Sequence, residues 1–455
     1  MSTPGNRTRG LNAHAVVVGL GKSGFSAARY LLERGLQVAV TDSRPEPPEW
    51  PRLQALGSEL GREITVRRGG FDASLLDGAA LLVVSPGVAR SGSFFELARA
   101  KGLTAIGDIE LFARAARAPV AGITGTNGKS TVTTLLAQMA ARAGLRVRAG
   151  GNLGPPALDL LDERAELYVL ELSSYQLETT QSLSLAAATV LNVSSDHLDR
   201  YADVETYAAA KARIYAHCEV AVINLDDARV AAMLDPARRR LSFSLRPDCG
   251  ADYVLAQDER GQQWLMRHGE ALLPLRDLKL TGAHNAANAL AALALGEALL
   301  VPRAAMLAEL RAFTGLAHRT QWIADVRGVR YINDSKGTNV GATLAAVNGL
   351  TGPLLVILGG EGKGQDFTPL RAAFVGKVRA ALLIGRAARA LAAVLQGACE
   401  HRYAESLEAA VAAAAALAHA GDTVLLSPAC ASLDMFRDYA ERGDVFAAAV
   451  RRLAA

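Results

Sequence analysis

Gly122-Ile123-Thr124-Gly125-Thr126-Asn127-Gly128-Lys129-Ser130-Thr131 decides how the rest of the chain is read. It follows the apolar run Pro119-Val120-Ala121, expected to end a buried strand, and precedes Val132 to Ala143, expected to be helical. A strand running through a glycine-rich turn into a helix presents unpaired backbone N–H groups and the positive end of the helix dipole at one point, which favours phosphate. Lys129 adds a compact charge for β- and γ-phosphates, and the Ser130 hydroxyl can ligate a Mg2+ ion bridging them. The spacing departs from the usual phosphate loop, with five residues between Gly122 and Gly128 where the common pattern has four. The match is therefore to Gly128-Lys129-Ser130-Thr131 with an unusual Gly125-Thr126-Asn127 lead-in, and a glycine turn without a ligand is the competing reading. ATP or a close relative is the expected ligand.

Upstream, a strand from Ala15 to Val18 leads into Gly19-Leu20-Gly21-Lys22-Ser23-Gly24, a helical stretch Phe25 to Arg34, and a strand Gln37 to Val40 ending at Thr41-Asp42. This is the dinucleotide pattern, a G-x-G-x-x-G turn with an acidic residue about 20 positions on. Taken alone it would suggest an NAD enzyme, or a tight turn holding no cofactor. The unit continues through Ile64 to Val66 and Ala80 to Val84 into Ser85-Pro86-Gly87, and ends by about Lys101. It is short for a six-stranded Rossmann domain, and a nucleotide with a single sugar suits it better than NAD.

Downstream, strands repeatedly end in polar motifs. Gly150-Gly151-Asn152-Leu153-Gly154 is a further glycine-rich turn, and the buried run Leu167 to Leu170 ends in Glu171-Leu172-Ser173-Ser174. A carboxylate at such a strand end, in the sheet of a phosphate loop, can hold Mg2+ or be a structural acid. Ala188 to Leu191 leads into Asn192 to Tyr201, where His197 is flanked by acids and is either a ligand or a hydrogen-bonding residue. Tyr207 to Ala216 reads as a helix whose Lys211, on spacing alone, is a solvated lysine. After the strand Ala221 to Asn224, residues 240 to 278 contain segments that can form a hairpin. Asn285 and Asn288 then share one face of a long Ala/Leu helix and can meet an adenine or a phosphate, or Asn285 can cap the helix. Beyond Leu316 come His318-Arg319, the strand Val329 to Ile332 before Asn333-Asp334-Ser335-Lys336-Gly337-Thr338-Asn339, the strand Leu354 to Leu358 before the loop carrying Lys363, and the strands Ala380 to Ile384 and Thr423 to Leu426. The expected fold is α/β in three domains, 1–104, 105–315 and 316–455: a Rossmann-like domain, a phosphate-loop domain with a mostly parallel sheet, and a second Rossmann-like domain.

The 455 residues are half apolar and 21% charged, as in ordinary globular chains. The net charge of +4 is spread without basic blocks, so nucleic acid is not implied. No apolar run is long enough to span a bilayer, and Met1 to Gly10 lacks an apolar core for secretion, so a cytoplasmic chain with no membrane insertion is expected. Cys218, Cys249, Cys399 and Cys430 form no C-x-x-C pair and are expected to be free thiols. Only eight of the 49 basic residues are lysines, and Lys22, Lys129, Lys211, Lys336 and Lys363 all fall in the motifs above. Lysine is thus kept where a compact amine is needed.

In order and spacing, G-T-N-G-K-S-T, G-N-L-G, E-L-S-S-Y-Q-L-E, S-D-H-L-D-R-Y, A-A-K-A-R-I-Y, A-H-N-A-A-N, H-R, D-S-K-G-T-N and L-S-P-A-C-A-S-L-D-M-F resemble the Mur ligase family over essentially the whole chain. D-S-K-G-T-N and L-S-P-A-C-A-S-L-D-M-F, with G-L-G-K-S-G at the start of the chain, resemble the member that adds D-glutamate to UDP-N-acetylmuramoyl-L-alanine. The resemblance implies that Gly21, Lys22 and Ser23 cradle the UDP diphosphate and that Asp42, Ser43 and Arg44 face the uracil. Ser85, Gly87 and Asn152 complete the UDP-substrate set. It further implies that Gly125, Thr126, Asn127, Gly128, Lys129, Ser130 and Thr131 hold the ATP phosphates. Ser130 and Glu171 would serve one Mg2+, and His197 and a carbamylated Lys211 a second. Asn285, Asn288, Arg319 and Asp334 would hold adenine, phosphate and ribose. Lys336, Thr338, Ser432, Leu433 and Tyr439 would receive glutamate, with Lys363 near the ATP or amino-acid site. Lys129, Glu171, His197 and Lys211 carry the catalytic roles.

The implied reaction is attack of the alanyl carboxylate on the γ-phosphate of ATP, then attack of the glutamate amine on the acyl phosphate. Domain closure is expected to exclude water from that intermediate. A monomer is expected. Gly337 stands where many relatives carry alanine, and is expected to loosen the loop bearing Lys336 and Thr338. Alternatives are a sister ligase or folylpolyglutamate-synthase-like ligase with another substrate, and a non-catalytic nucleotide-binding module.

Overall fold

Apolar runs of four to six residues bounded by glycine and polar motifs form the buried centres of three sheets, as chains covered on both faces require. The structure, a computed structural model, describes residues 14–197, 200–233, 239–280, 282–350 and 352–454.

The first sheet consists of β1 (His14–Val18), β2 (Gln37–Asp42), β3 (Thr65–Arg68), β4 (Ala79–Val84) and β5 (Ala105–Ile106), in the order β3-β2-β1-β4-β5. Its strands pair in parallel throughout. The second sheet has β6 (Val120–Thr124), β7 (Val147–Gly151), β8 (Leu167–Glu171), β9 (Leu185–Val190), β10 (Cys218–Asn224), β11 (Arg240–Ser244), β12 (Tyr253–Gln257), β13 (Gln263–Arg267) and β14 (Glu270–Pro274). Its order is β14-β13-β12-β11-β10-β9-β6-β8-β7. β12, β13 and β14 form an antiparallel meander where the sequence suggested a hairpin. The third sheet has β15 (Gln321–Val326), β16 (Val329–Asn333), β17 (Leu354–Gly359), β18 (Val378–Ile384), β19 (Glu400–Tyr403) and β20 (Thr423–Leu426), in the order β15-β16-β20-β17-β18-β19. Only β15 runs antiparallel.

The third sheet shows how side-chain alternation builds a three-layer unit. Val356, Leu358, Ala381, Leu383 and Leu425 face one core with Leu370, Phe374 and Leu391 from helices. Their neighbours Leu355, Ile357, Leu382, Ile384, Val424 and Leu426 face the other, with Leu407, Val411, Phe446 and Val450. Each such buried aliphatic side chain contributes about 1.5–3 kcal/mol.

By contact the chain falls into two compact units, one drawn from 1–124, 144–188 and 210–220, the other from 125–143, 189–209 and 221–455. The four cysteines are free. No helix among the described residues is long and apolar enough to cross a membrane.

Candidate active site

In the second unit the phosphate loop leads into the helix Lys129–Arg142, which starts one turn earlier than the sequence suggested. Two glycines make its path possible. Gly125 has φ +146°, and a Cβ there would lie 3.0 Å from the Leu191 side chain; Gly128 has φ +85°, with a Cβ 2.4 Å from Asn288 Oδ1. Only glycine takes up these conformations without strain. The loop is clamped by the segment after β9: Thr126 N–H donates to the Asn192 carbonyl at 2.9 Å, and Asn127 N–H to Asn192 Oδ1 at 2.8 Å. Asn192 Nδ2 returns a bond to the Asn127 carbonyl at 3.0 Å. Lys129 curls back over the turn, its ammonium donating to the carbonyls of Gly125 at 2.8 Å and Thr126 at 2.9 Å.

Around this turn a cleft is lined by Asn127, Gly128, Thr131, Asn285, Asn288, Arg319 and Asp334. Asn285 and Asn288 lie on the helix Ala283–Ala298, and Asn288 Nδ2 donates to Asn285 Oδ1 at 3.3 Å. That bond orients the pair and leaves Asn285 a wall residue rather than the helix cap, which is Gly282. Arg319 donates to Ser130 Oγ at 2.6 Å, which brings a guanidinium to the first turn of the helix Lys129–Arg142. Asp334 follows β16, and its carboxylate accepts from Thr320 N–H at 3.1 Å and from Ser427 Oγ at 2.8 Å. Burial pushes its pKa up to about 6, against the lowering effect of those bonds and of Arg319. His284 also lines the cleft, its pKa lowered by burial and its Nδ1 without a hydrogen-bond partner among the described residues. The reading of A-H-N-A-A-N singled out only the two asparagines.

Register in the third sheet brings the ends of β16, β20 and β17 side by side, with Asn333 opposite Leu426 and Leu426 opposite Ile357. The loops that follow carry Lys336 and Thr338, Ser432 and Leu433, and Lys363. The Lys336 ammonium sits 3.9 Å from the centre of the Tyr439 ring, a cation–π contact. Ser432 is buried, whereas Leu433 is 70% exposed. Gly337 does not loosen its loop. A Cβ there would lie 2.5 Å from Asp334 Oδ2 and 2.8 Å from Ser427 Oγ, so glycine allows a close approach and tightens the turn.

In the first unit, Gly21 caps the helix Lys22–Glu33 and opens onto free space, as does Gly87. Gly24 lets that helix press on the turn, since a Cβ there would meet the Gly19 carbonyl, and Ser85 Oγ donates to the same carbonyl at 2.7 Å. Asp42 is 2% exposed. Its Oδ2 accepts from Leu20 N–H at 2.6 Å and Arg44 Nη2 at 2.7 Å, and its Oδ1 from Arg44 N–H at 2.8 Å and Nε at 2.9 Å. Burial raises its pKa, but the Arg44 and backbone bonds outweigh this and the net shift is downward. Both oxygens are thus engaged by the chain itself, which leaves little of the carboxylate for the two ribose hydroxyls an NAD site would offer.

The end of β8 holds Glu171, 3% exposed, whose Oε1 accepts from Asn152 Nδ2 at 2.6 Å. The Asn152 backbone N–H donates to the Glu171 carbonyl at 2.8 Å, so the glycine-rich turn after β7 steadies this acid. Lys211 is 1% exposed. The solvated helix lysine that spacing alone suggested is therefore excluded. His197, in the second unit, has φ +56°, unusual for a side chain of its size. Among the described residues no group of three or more His, Cys, Asp and Glu side chains is arranged to hold a metal.

Three family models match the chain: Mur ligase MurD-like, N-terminal domain over residues 13–107; Mur ligase middle domain over 123–296; and Mur ligase, glutamate ligase domain over 318–430. The UDP-N-acetylmuramoylalanine--D-glutamate ligase of Nitrosococcus oceani is 53% identical over 444 residues, 97% of each chain. The protein of the same name from Pseudomonas aeruginosa is 50% identical over 444 residues, 96% of this chain and 98% of its own. Among solved structures, UDP-N-acetylmuramate-alanine ligase MurC of Thermotoga maritima matches with a TM-score of 0.61 at 18% identity, over 97% of this chain and 99% of its own. A pseudomurein peptide ligase type C from Methanothermus fervidus gives 0.56 at 20%, over 91% and 96%. At those identities the structural likeness speaks to the fold alone.

Proposed function

The chain belongs to the Mur ligase family, and within it we propose that it joins D-glutamate to UDP-N-acetylmuramoyl-L-alanine, driven by ATP, in peptidoglycan precursor synthesis. The observation that carries this reading is near-complete coverage at about half identity by relatives that bear the name of that ligase. The cleft at the phosphate loop supports the ATP half of the reaction.

Residues 1–104 take the UDP-substrate, 105–315 the ATP and 316–455 the amino acid. Gly21, Lys22 and Ser23, at an open helix N-terminus, suit a diphosphate. Asp42, held by Arg44, positions Ser43 and Arg44 for the uracil, and Ser85, Gly87 and Asn152 contact other parts of the UDP-substrate. Lys129 turns from the two carbonyls it now contacts to the β- and γ-phosphates. Asn285 and Asn288 take the adenine, Arg319 a phosphate and Asp334 the ribose. Mg2+ takes few protein ligands and completes its shell with water and phosphate; Ser130 and Glu171 would hold one ion and His197 with a carbamylated Lys211 a second, and the ions would neutralise charge on the transferred phosphoryl group. A lysine enclosed as Lys211 is can become anionic only by such a modification of its amine.

The alanyl carboxylate attacks the γ-phosphorus and ADP leaves, giving an acyl phosphate. Glutamate is held by Lys336, Thr338, Ser432, Leu433, Tyr439 and Lys363; its neutral amine attacks the carbonyl carbon, and the tetrahedral intermediate expels phosphate and gives up the amine proton to leave the amide. We place the enzyme in the cytoplasm, where ATP is supplied, acting as a monomer. Phosphate release from ATP with UDP-N-acetylmuramoyl-L-alanine tests the reading. Release that requires D-glutamate is expected; release with L-glutamate alone, or with neither enantiomer, refutes the substrate assignment.

A further inference from the structure

One carboxylate among these loops has no role in the proposed reaction. Asp196 is 7% exposed, and a buried carboxylate is costly unless other groups compensate it. Its Oδ1 accepts from the His197 backbone N–H at 3.0 Å and its Oδ2 from Asn339 Nδ2 at 3.1 Å. Two cationic or potentially cationic groups face it: the Lys363 ammonium, 4.0 Å from Oδ1, and His197 Nε2, 3.8 Å from Oδ2.

The backbone at both neighbours is unusual. His197 has φ +56° and Lys363 has φ +51°, left-handed conformations that non-glycine residues adopt at a cost. Asn339 is fixed as well. Its Oδ1 caps the helix Val340–Gly349 by accepting from Ala342 N–H at 2.8 Å, which commits its Nδ2 to the opposite side. There it donates to Asp196 and, at 3.3 Å, to Asn127 Oδ1 in the phosphate loop. A single carboxylate therefore links the phosphate loop, through Asn339, to the lysine of the loop after β17.

We infer that Asp196 is a positioning residue for the amino-acid site, setting the Lys363 ammonium by charge while Asn339 ties the same carboxylate to the phosphate loop. The inference rests on the reading above, in which Lys363 meets glutamate. At 4.0 Å the lysine is attracted to Asp196 without being committed to a hydrogen bond, so its three N–H donors stay available to a second anion. A glutamate carboxylate is such an anion. Asp196 holds the long side chain where the substrate needs it, and the order of the phosphate loop is felt at the amino-acid loop.

The test is steady-state kinetics of Asp196→Asn, which keeps the shape and an acceptor oxygen but removes the charge. The KM for D-glutamate is expected to rise about tenfold, the worth of a charge-assisted contact, while the KM for UDP-N-acetylmuramoyl-L-alanine stays within about twofold and kcat falls less than KM rises. Asp196→Glu should recover part of the loss. Lys363→Met should raise the same KM, and the double variant Asp196→Asn/Lys363→Met should be no worse than Lys363→Met alone. An unchanged KM for D-glutamate, equal rises for all three substrates, or additive effects in the double variant would overturn the inference. Lys363→Met against wild type decides the matter if Asp196→Asn fails to fold, because an unchanged KM there removes the group on which Asp196 is said to act. Absence of D-glutamate-dependent turnover in the wild type would instead overturn the functional reading, and this inference with it.

Discussion

Gly128→Ala measures how tightly the phosphate loop is set. The residue has φ +85°, and an added Cβ would stand 2.4 Å from Asn288 Oδ1 and 3.3 Å from the Leu191 side chain. Holding alanine in the left-handed region costs about 1–2 kcal/mol. The clash adds to this, because Asn288 must retreat by about an ångström and give up its 3.3 Å bond to Asn285, itself worth about 1 kcal/mol net. The sum is roughly 2–3 kcal/mol of stability, with the ATP site disturbed in the same step. Chemical denaturation of the full chain, followed by circular dichroism, gives the first quantity, and the KM for ATP gives the second. The clash can be isolated with Gly128→Ala/Asn288→Ala, which removes the obstructing oxygen. The double variant should be more stable than the sum of the two single losses predicts by about 1 kcal/mol. Strict additivity would show that the close approach to Asn288 is not what forbids a side chain at Gly128.

Further outcomes are expected elsewhere in the chain. Lys211→Ala should abolish turnover, with partial recovery on adding formate or acetate; wild-type turnover without an additive would remove Lys211 from the site. Asp334 has a folded pKa raised to about 6 from 3.8, so the folded state keeps a proton that the unfolded chain loses. Stability should therefore fall as pH rises from about 4 to 6, by on the order of 3 kcal/mol, and Asp334→Asn should flatten that part of the profile. Gly337→Ala should cost about 1–3 kcal/mol by pushing against the Asp334 carboxylate and should raise the KM for ATP; wild-type values would mean the turn relaxes freely.

The buried parallel strands were legible because they are short apolar runs that stop at glycine or polar motifs. Those runs gave β6, β8, β16, β17 and β20 to within a few residues, and with them the strand ends where functional loops belong. Several edge strands were not legible, although β3, also at an edge, was read from Ile64 to Val66. β15, with Trp322 57% exposed, and β19, Glu-His-Arg-Tyr, face solvent and carry no apolar run, while β5 has two residues. Burial of Lys211 was hidden for a related reason: four of the nine residues of its helix are alanine, and a helix so rich in small residues shows no preferred face in its sequence.

What sequence withholds about the site is pairing between distant loops. Gly-Thr-Asn-Gly-Lys-Ser-Thr announces a phosphate loop, but not that Asn192 clamps it or that Arg319 reaches Ser130. The dinucleotide fingerprint announces Asp42, but not that Leu20 and Arg44 occupy its oxygens. Gly337 suggested a loose loop because composition equates glycine with freedom, whereas the contacts at Asp334 and Ser427 make it a packing requirement. In each case residue type fixes what chemistry is available, and the partner chosen by the fold decides whether the group is free to use it. Asp196 follows the same logic: an ordinary acid in the sequence, it becomes a junction only where β9, β16 and β17 bring their loops together.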